Sequence, residues 1–195
     1  MNVYDFDKTI FDGDSTRKFF VYLIGKYPKL WRYFPMQAWF GLQFVLGFIS
    51  KDEFKGKFYH FLRGVENIEE EVKNFWNGHE SGIFHWYKAQ QREDDVIVSA
   101  SPEFLLEEIC RRLGIRYLIA SKVDKKTGKL LSKNCYGKEK VPRFLKEFKA
   151  EDVECFYSDS LSDTPLAKLA QKSFLVKKET LILWNVRRPD RKSVV

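Results

Sequence analysis

The chain has 195 residues, enough for one domain carrying an inserted subdomain. Hydrophobic residues make up 44% and charged residues 31%, a mixture that supports a packed globular core and argues against an integral membrane protein. The net charge of +7 favours an anionic partner, namely a phosphorylated substrate, a membrane surface or nucleic acid, although an ordinary solvated basic surface would give the same total. Cys110, Cys135 and Cys155 are far apart and odd in number, with no CxxC pair, so neither a zinc site nor a disulfide framework is suggested. The chain begins without a signal-peptide pattern, which makes a reducing cytosol the expected compartment. Residues 36–49 form the most apolar stretch, shorter than the roughly 20 residues that span a bilayer, and predict a buried or interfacial helix.

From the N-terminus, residues 2–6 read as a short buried strand that ends in acidic residues. Ser15 is the expected cap of a helix whose Phe19, Phe20, Leu23 and Ile24 recur at helical spacing. Ser50 and Glu53 form a capping-box pattern, after which Phe54, Phe58 and Phe61 share a face. Asn67 followed by Glu69, Glu70 and Glu71 marks another helix start, with carboxylates near the positive end of the dipole. The pattern changes at Asp95. Residues 96–98 read as a strand ending in Ser99-Ala100-Ser101, and Ser101 is the expected cap of a helix with Pro102 in its first turn and Gly114 at its end. A strand over 116–121, a turn over 124–128, a helix over 138–148 and a strand over 154–157 follow. Pro165 opens a helix to about Gln171, and residues 173–176 read as a last strand. Strands alternating with helices at both ends of the chain, interrupted by a helical block, predict an α/β fold. Its core would be a parallel sheet over 1–13 and 92–195, with a helical insertion over 14–91 between the first and second strands. Residues 187–195 are basic and expected to be loosely ordered.

Four stations carry chemistry. Asp5-Phe6-Asp7-Lys8-Thr9 follows the first strand, and in open parallel sheets ligands bind at the carboxyl ends of strands. Two close carboxylates repel unless a proton or cation intervenes, and magnesium suits carboxylate and phosphate oxygens. A surface turn would explain Asp-x-Asp equally well. Ser99 follows the second strand, where a hydroxyl and the amides of the next helix can hold a phosphate oxygen; helix capping alone would also account for the serines. Lys138 and Lys140 open a helix, and a lysine there can neutralise phosphate and carboxylate charge, although a solvated lysine is the commoner case. Ser158-Asp159-Ser160-Leu161-Ser162-Asp163 follows another strand, with Asp159 placed to complete a metal site and Asp163 to support it.

Taken in order, these stations resemble the haloacid dehalogenase superfamily, whose signature is DxDx[TS], then Ser or Thr, then Lys, then a paired-acid turn. The likeness covers nearly the whole chain. It implies a Rossmann-like core with a type-1 helical cap, of the subgroup similar to phosphoserine phosphatase. Residues 135–141 and 157–166 resemble most closely the third and fourth motifs of the phosphatidylglycerophosphatase C group, and on that pattern Lys140 is the motif lysine. Two departures stand out. Asp14 occupies the place of a substrate-reading glutamate, and serines replace the usual glycines of the fourth motif, which weakens the case for phosphoserine itself.

The resemblance implies that Asp5 attacks phosphorus and becomes an aspartyl phosphate, while Asp7 protonates the leaving oxygen and then activates water. Magnesium, the implied cofactor, would be held by Asp5, the Asp7 backbone carbonyl and Asp159, with Asp163 orienting that shell. Lys140, Ser99 and the amide of Ala100 would offset charge on the phosphoryl group, Thr9 would steady the nucleophile turn beside it, and Asp14 would meet the substrate. The insertion should select the substrate. Trp31, Tyr33, Phe34, Trp39 and Phe40 would form its own core or meet lipid, and Lys26, Lys29 and Arg32 would face anionic headgroups in the second case. The expected substrate is therefore a small phosphomonoester or a lipid phosphate, with peripheral membrane contact in the latter case. A catalytically silent binding protein of the same fold is the remaining alternative, and nucleic acid is not expected. His60, His79 and His85 belong to no motif and are read as structural.

Overall fold

The computed structural model describes residues 1–186, so the tail at 187–195 lies outside the described residues. Strands β1 (Asn2–Tyr4), β2 (Val96–Pro102), β3 (Tyr117–Ser121), β4 (Cys155–Ser158), β5 (Lys172–Lys177) and β6 (Thr180–Leu183) make one sheet in the order β3-β2-β1-β4-β5-β6. The first five run parallel and β6 returns antiparallel to β5. Side chains alternate across the sheet as the pleat requires. Val3, Val96, Val98, Ile119 and Phe156 face one core cluster, while Tyr4, Ile97 and Tyr157 face the other. The α/β class and parallel sheet predicted from the alternation of elements are what the chain adopts.

Between β1 and β2 the chain is helical: α1 (Ser15–Lys26), α2 (Phe34–Val45), α3 (Lys51–Phe58), α4 (Ile68–His79) and α5 (His85–Gln90), joined by short 3-10 turns. Helix α6 (Glu103–Arg112) follows β2, and two short helices, α7 (Lys140–Phe144) and α8 (Thr164–Ala167), flank the second half of the sheet. The capping box at Ser50 and Glu53 forms in both directions, at 3.2 and 2.8 Å. Phe54, Phe58 and Phe61 pack as the spacing predicts, with Phe20 closing the cluster 5.0 Å from Phe58 and 4.8 Å from Phe61.

Several local expectations are corrected. The cap of α1 is Asp14, whose carboxylate accepts from the Arg17 amide at 2.8 Å, and Ser15 is the first helical residue. Ser101 caps nothing, since it lies within β2 and α6 starts after Pro102 without a side-chain cap. The helix expected over 138–148 is regular only over α7, and that opening at Pro165 ends by Ala167. The turn at Lys178, with φ of 56°, adds the unpredicted β6, whose residues are all exposed and so carry no alternating burial signal. For α2 the sequence left two settings open, a buried core or an exposed interfacial face. Its one buried residue is Gln37, whereas Phe34, Trp39, Leu42 and Val45 are exposed, as is Trp31 just before it. Trp31, Phe34 and Trp39 thus stand outside the core of the helical block, whereas Tyr33 is partly buried against it. That core is built instead by Phe19, Phe20, Leu30, Phe61, Phe75 and Trp76.

Glu71 ties the block together. It is buried on α4 and accepts from Tyr22 Oη, Tyr27 Oη and Lys26 Nζ at 2.7–2.9 Å, joining α4 to α1. Burial pushes its carboxyl up, but the Lys26 ammonium and the two hydroxyls outweigh that and hold it below the ordinary value. A depressed carboxylate contributes stability above its unfolded pKa and loses it as pH falls through the folded one. Glu71→Ala should therefore cost about 1–3 kcal/mol at neutral pH by urea unfolding, with a smaller deficit in acid. An unchanged midpoint at neutral pH would show that the clamp is not structural.

Candidate active site

The chain order places β1 at the centre and reverses the direction of winding between β1 and β4, so a crevice opens at their carboxyl ends. Asp5 leaves β1 there, its amide still donating to Tyr157 O at 2.8 Å. Beyond it the chain wraps around the Phe6 carbonyl, which accepts from the amides of Thr9, Ile10 and Phe11 at 3.0–3.3 Å. Phe6 anchors this turn by packing against Phe11 and Trp76. Lys8 takes a left-handed conformation, φ 57°, that lets the loop close.

Lys140 organises the crevice. It is 1% exposed, and its ammonium donates to Asp5 Oδ1 at 2.7 Å and to Asp163 Oδ2 at 2.6 Å. Gly137, three residues earlier, takes the left-handed φ of 56° and packs closely on the fourth turn, where a Cβ would come within 3.3 Å of Ser162 O. Burial works against the ammonium, yet the two carboxylates outweigh it and raise its pKa above the ordinary lysine value. Burial also raises the Asp5 carboxyl; Lys140 opposes this and Asp163 and Asp7 add to it, leaving it at about 7. Ser158 Oγ donates to Asp163 Oδ2 at 2.9 Å, and the Ser160 amide donates to Ser158 Oγ at 3.1 Å, so a serine braces the turn where glycine was the expected pattern.

Asp7 sits two residues on, its Oδ1 accepting from the Ser15 amide at 2.7 Å and its Oδ2 from the Ser101 hydroxyl. Burial raises its carboxyl, Asp14 adds to the rise, and these donors oppose it. Ser101 is itself held by Ser15 Oγ at 3.2 Å and Thr16 Oγ1 at 3.0 Å. Sequence reasoning assigned Ser101 to a helix cap and so missed it. The available signal was its i+2 relation to Ser99 at the end of a strand, which puts both hydroxyls on the same side.

A cleft of about 600 Å³ opens over these groups. Asp5, Asp7, Asp14, Ser99, Ala100, Lys140, Asp159 and Asp163 all line it, so eight of the nine expected side chains or turns converge. Thr9 is the exception: it is wholly buried, and its hydroxyl accepts from the Asp159 amide at 2.9 Å, linking the first and fourth turns. Asp14 is exposed at the rim and engaged as a helix cap, and Ser99 Oγ accepts from the Ser101 amide at 3.1 Å. Lys138 is exposed and outside the cleft. The three histidines also lie outside it, and His79 stacks on Phe75. From the helical block come Arg17, Phe20, Val21, Phe54, Lys55 and Phe58. Lys55 reaches across from α3 to Ala100 O at 2.6 Å and Asn134 Oδ1 at 3.2 Å, a link between block and sheet that no sequence signal marked.

Asp5 and Asp159 present carboxylates to the cleft, and Asp163 Oδ1 is buried without a hydrogen-bond partner among the described residues. Burial raises the Asp159 carboxyl, opposed first by Lys8. Among the described residues no three acidic, histidine or cysteine groups are close enough to enclose an ion. The carboxylates of Asp5 and Asp159 and the unpartnered Asp163 Oδ1 are hard oxygen donors, of the kind that suits a cation held by one or two carboxylates with water and the oxygens of an anionic ligand.

Lys140→Met should leave two buried carboxylates facing each other and cost about 3–5 kcal/mol at neutral pH in urea unfolding. The deficit should shrink as pH falls, because the Asp5 carboxyl, raised by burial and no longer opposed by the ammonium, takes up a proton there. Equal loss at all pH values would point to lost packing rather than lost charge.

A profile of the haloacid dehalogenase-like hydrolases matches residues 3–168. Among solved structures, a protein of unknown function from Bordetella pertussis Tohama I superposes with a TM-score of 0.70 at 17% identity, over 89% of this chain and 87% of that one. A phosphoserine phosphohydrolase-like protein from Francisella tularensis subsp. tularensis SCHU S4 gives a TM-score of 0.54 at 16% identity, over 92% and 90% of the two chains. A HAD family hydrolase from Salmonella enterica subsp. enterica serovar Typhi gives 0.55 at 13% identity, over 86% of this chain and 59% of that one. At these identities the likeness is one of fold. No curated protein sequence matches the chain significantly.

Proposed function

This chain belongs to the haloacid dehalogenase-like hydrolase family, and from that premise we propose that it is a magnesium-dependent phosphatase acting on a phosphomonoester through an aspartyl phosphate on Asp5. The observation that carries the reading is the pairing of Asp5 with Lys140 at the carboxyl end of β1, with Asp7 separately held two residues on. A carboxylate oxygen of Asp5 attacks phosphorus as the bond from phosphorus to the substrate oxygen breaks. Asp7, protonated beforehand, gives its proton to that oxygen and releases the alcohol. Water then attacks the aspartyl phosphate, Asp7 takes its proton, and inorganic phosphate leaves with Asp5 restored. Lys140 and the turn around Ser99 and Ala100 offset negative charge on the phosphoryl oxygens. Magnesium, when held by Asp5, Asp159 and the Asp7 carbonyl, supplies charge neutralisation between carboxylate and phosphate. Asp163 and Thr9 keep the lysine and the fourth turn in place, and the segment over 14–91 serves as the cap over the core at 1–13 and 92–195.

A small phosphomonoester is the first substrate class, in line with the Francisella protein's description as phosphoserine phosphohydrolase-like. A lipid phosphate is favoured by one feature of the cleft, its wall of Phe20, Val21, Phe54 and Phe58, which suits an apolar body better than a serine.

Asp5→Asn should abolish hydrolysis of every member of a phosphomonoester panel containing phosphoserine and a lipid phosphate. Turnover by that variant would remove Asp5 from the nucleophile's role. Chelation should stop the wild-type reaction and added magnesium restore it; full activity in chelator would refute the metal assignment. Ser101→Ala removes a donor from Asp7 and should lower kcat roughly tenfold with KM little changed, as expected for one hydrogen bond of about 1.4 kcal/mol. A change confined to KM would instead make Ser101 a substrate contact.

A further inference from the structure

Helix α2 is built inside out. At about 100° per residue, Phe34, Val45, Leu42, Leu46 and Trp39 fall within one arc of about 140°, and every one is exposed. The arc continues into Phe48, 75% exposed, beyond the turn at Gly47, whose φ is 77°. On the opposite side Gln37 is buried and donates to Phe58 O at 3.0 Å. A surface helix normally puts polar residues outward, so the reversed face requires an apolar contact.

The charge around it identifies the contact. From residue 15 to residue 51 the chain has six Lys or Arg and no Asp or Glu, and the rest of the sequence is within one charge of neutral. Arg32 stands beside exposed Trp31 at the entry to α2 and stacks on Tyr33, while Lys57 lies 5.4 Å from the Phe40 ring of α2. Some of this charge serves elsewhere: Arg17 lines the cleft, Lys18 lies over the Phe11 ring, and Lys26 and Lys29 pair with Glu71 and Glu66, which leaves Arg32 and Lys57, among the described residues, as the cations placed against α2 and its entry. No helix among the described residues is long and apolar enough to cross a membrane, and α2 has only 12 residues.

We infer that α2 and the turn after it form a docking surface for an anionic lipid bilayer, lying in the interface with the apolar arc among acyl chains and the flanking cations at the headgroups. The tryptophans near its edges suit that depth, because an indole ring places an apolar body below and its N–H at the wet boundary. Helix α2 packs on α3, and α3 lends Phe54, Lys55 and Phe58 to the cleft, so a docked molecule holds the wall of its cleft one helix from the membrane. The inference rests on the outer surface and not on the chemistry proposed for the cleft.

The test is sedimentation of the full chain with vesicles of phosphatidylcholine alone and of phosphatidylcholine with phosphatidylserine, read together with tryptophan emission. Binding to the anionic vesicles, a blue shift, and weakening at high salt are expected. The double variant Trp39→Gln/Leu42→Gln should lower the partition coefficient by more than about tenfold, since both side chains forgo apolar burial. Both positions are exposed, so its thermal midpoint and its hydrolysis of a soluble phosphomonoester should match wild type. A second variant, Arg32→Glu, should weaken binding to the anionic vesicles only. Absence of vesicle binding, or equal binding by wild type and the double variant, would overturn the inference. A concentration-dependent dimer in sedimentation velocity, lost in the double variant and unaccompanied by vesicle binding, would overturn it in favour of a second copy as the occupant.

Discussion

Everything at the crevice depends on one buried ammonium. Lys140 lies between Asp5 and Asp163, and without it two carboxylates from different strands would have to share a site shielded from water. Taking three charges out of solvent is unfavourable, and their mutual attraction offsets that only when geometry and further hydrogen bonds are good. Ser158 supplies one such bond to Asp163. Such an arrangement is poor evidence for stability but good evidence for a site, because strongly perturbed groups cluster where chemistry is done.

The sheet explains why residues so distant in sequence meet. Winding outward from β1 to β3 and then resuming at β4 on the other side leaves Asp5 and Asp159 as neighbours at the reversal. Thr9 fastens the two turns through the Asp159 amide, and Ser101, from the next strand, fastens Asp7. The groups around Asp5 and Asp7 are thus carried by the ends of the sheet strands, whereas the rest of the cleft is walled by the helical block, joined to the sheet through Lys55. In the proposed phosphatase this division would let the sheet hold a reaction geometry while the helical block selects what enters.

The helical block shows where patterns in sequence mislead. Its apolar residues are dense enough to be read either as a core or as an outward apolar face, and the block has two populations. Phe19, Phe61, Phe75 and Trp76 close on one another, while Trp39, Leu42 and Phe48 face outward. Periodicity identifies an apolar arc on α2 but is silent about which way the arc points, since that depends on what neighbouring helices leave open.

The alternation of strands and helices, the helical stretch between the first two strands and the acidic, serine and lysine residues at strand or helix ends were legible in the amino-acid order. These features are local: strand ends, caps and short motifs are written in consecutive residues. The sequence also separated Lys140 from Lys138, through the spacing to Val141 that the family likeness supplied. Only the tertiary structure decided that Ser101 serves Asp7 instead of a helix, that Asp14 takes over the cap assigned to Ser15, that Lys55 crosses from block to sheet and that α2 turns its apolar side outward. Each of these depends on contacts between segments tens of residues apart, and a hydroxyl, a carboxylate or an apolar ring has several equally good local uses until packing removes all but one.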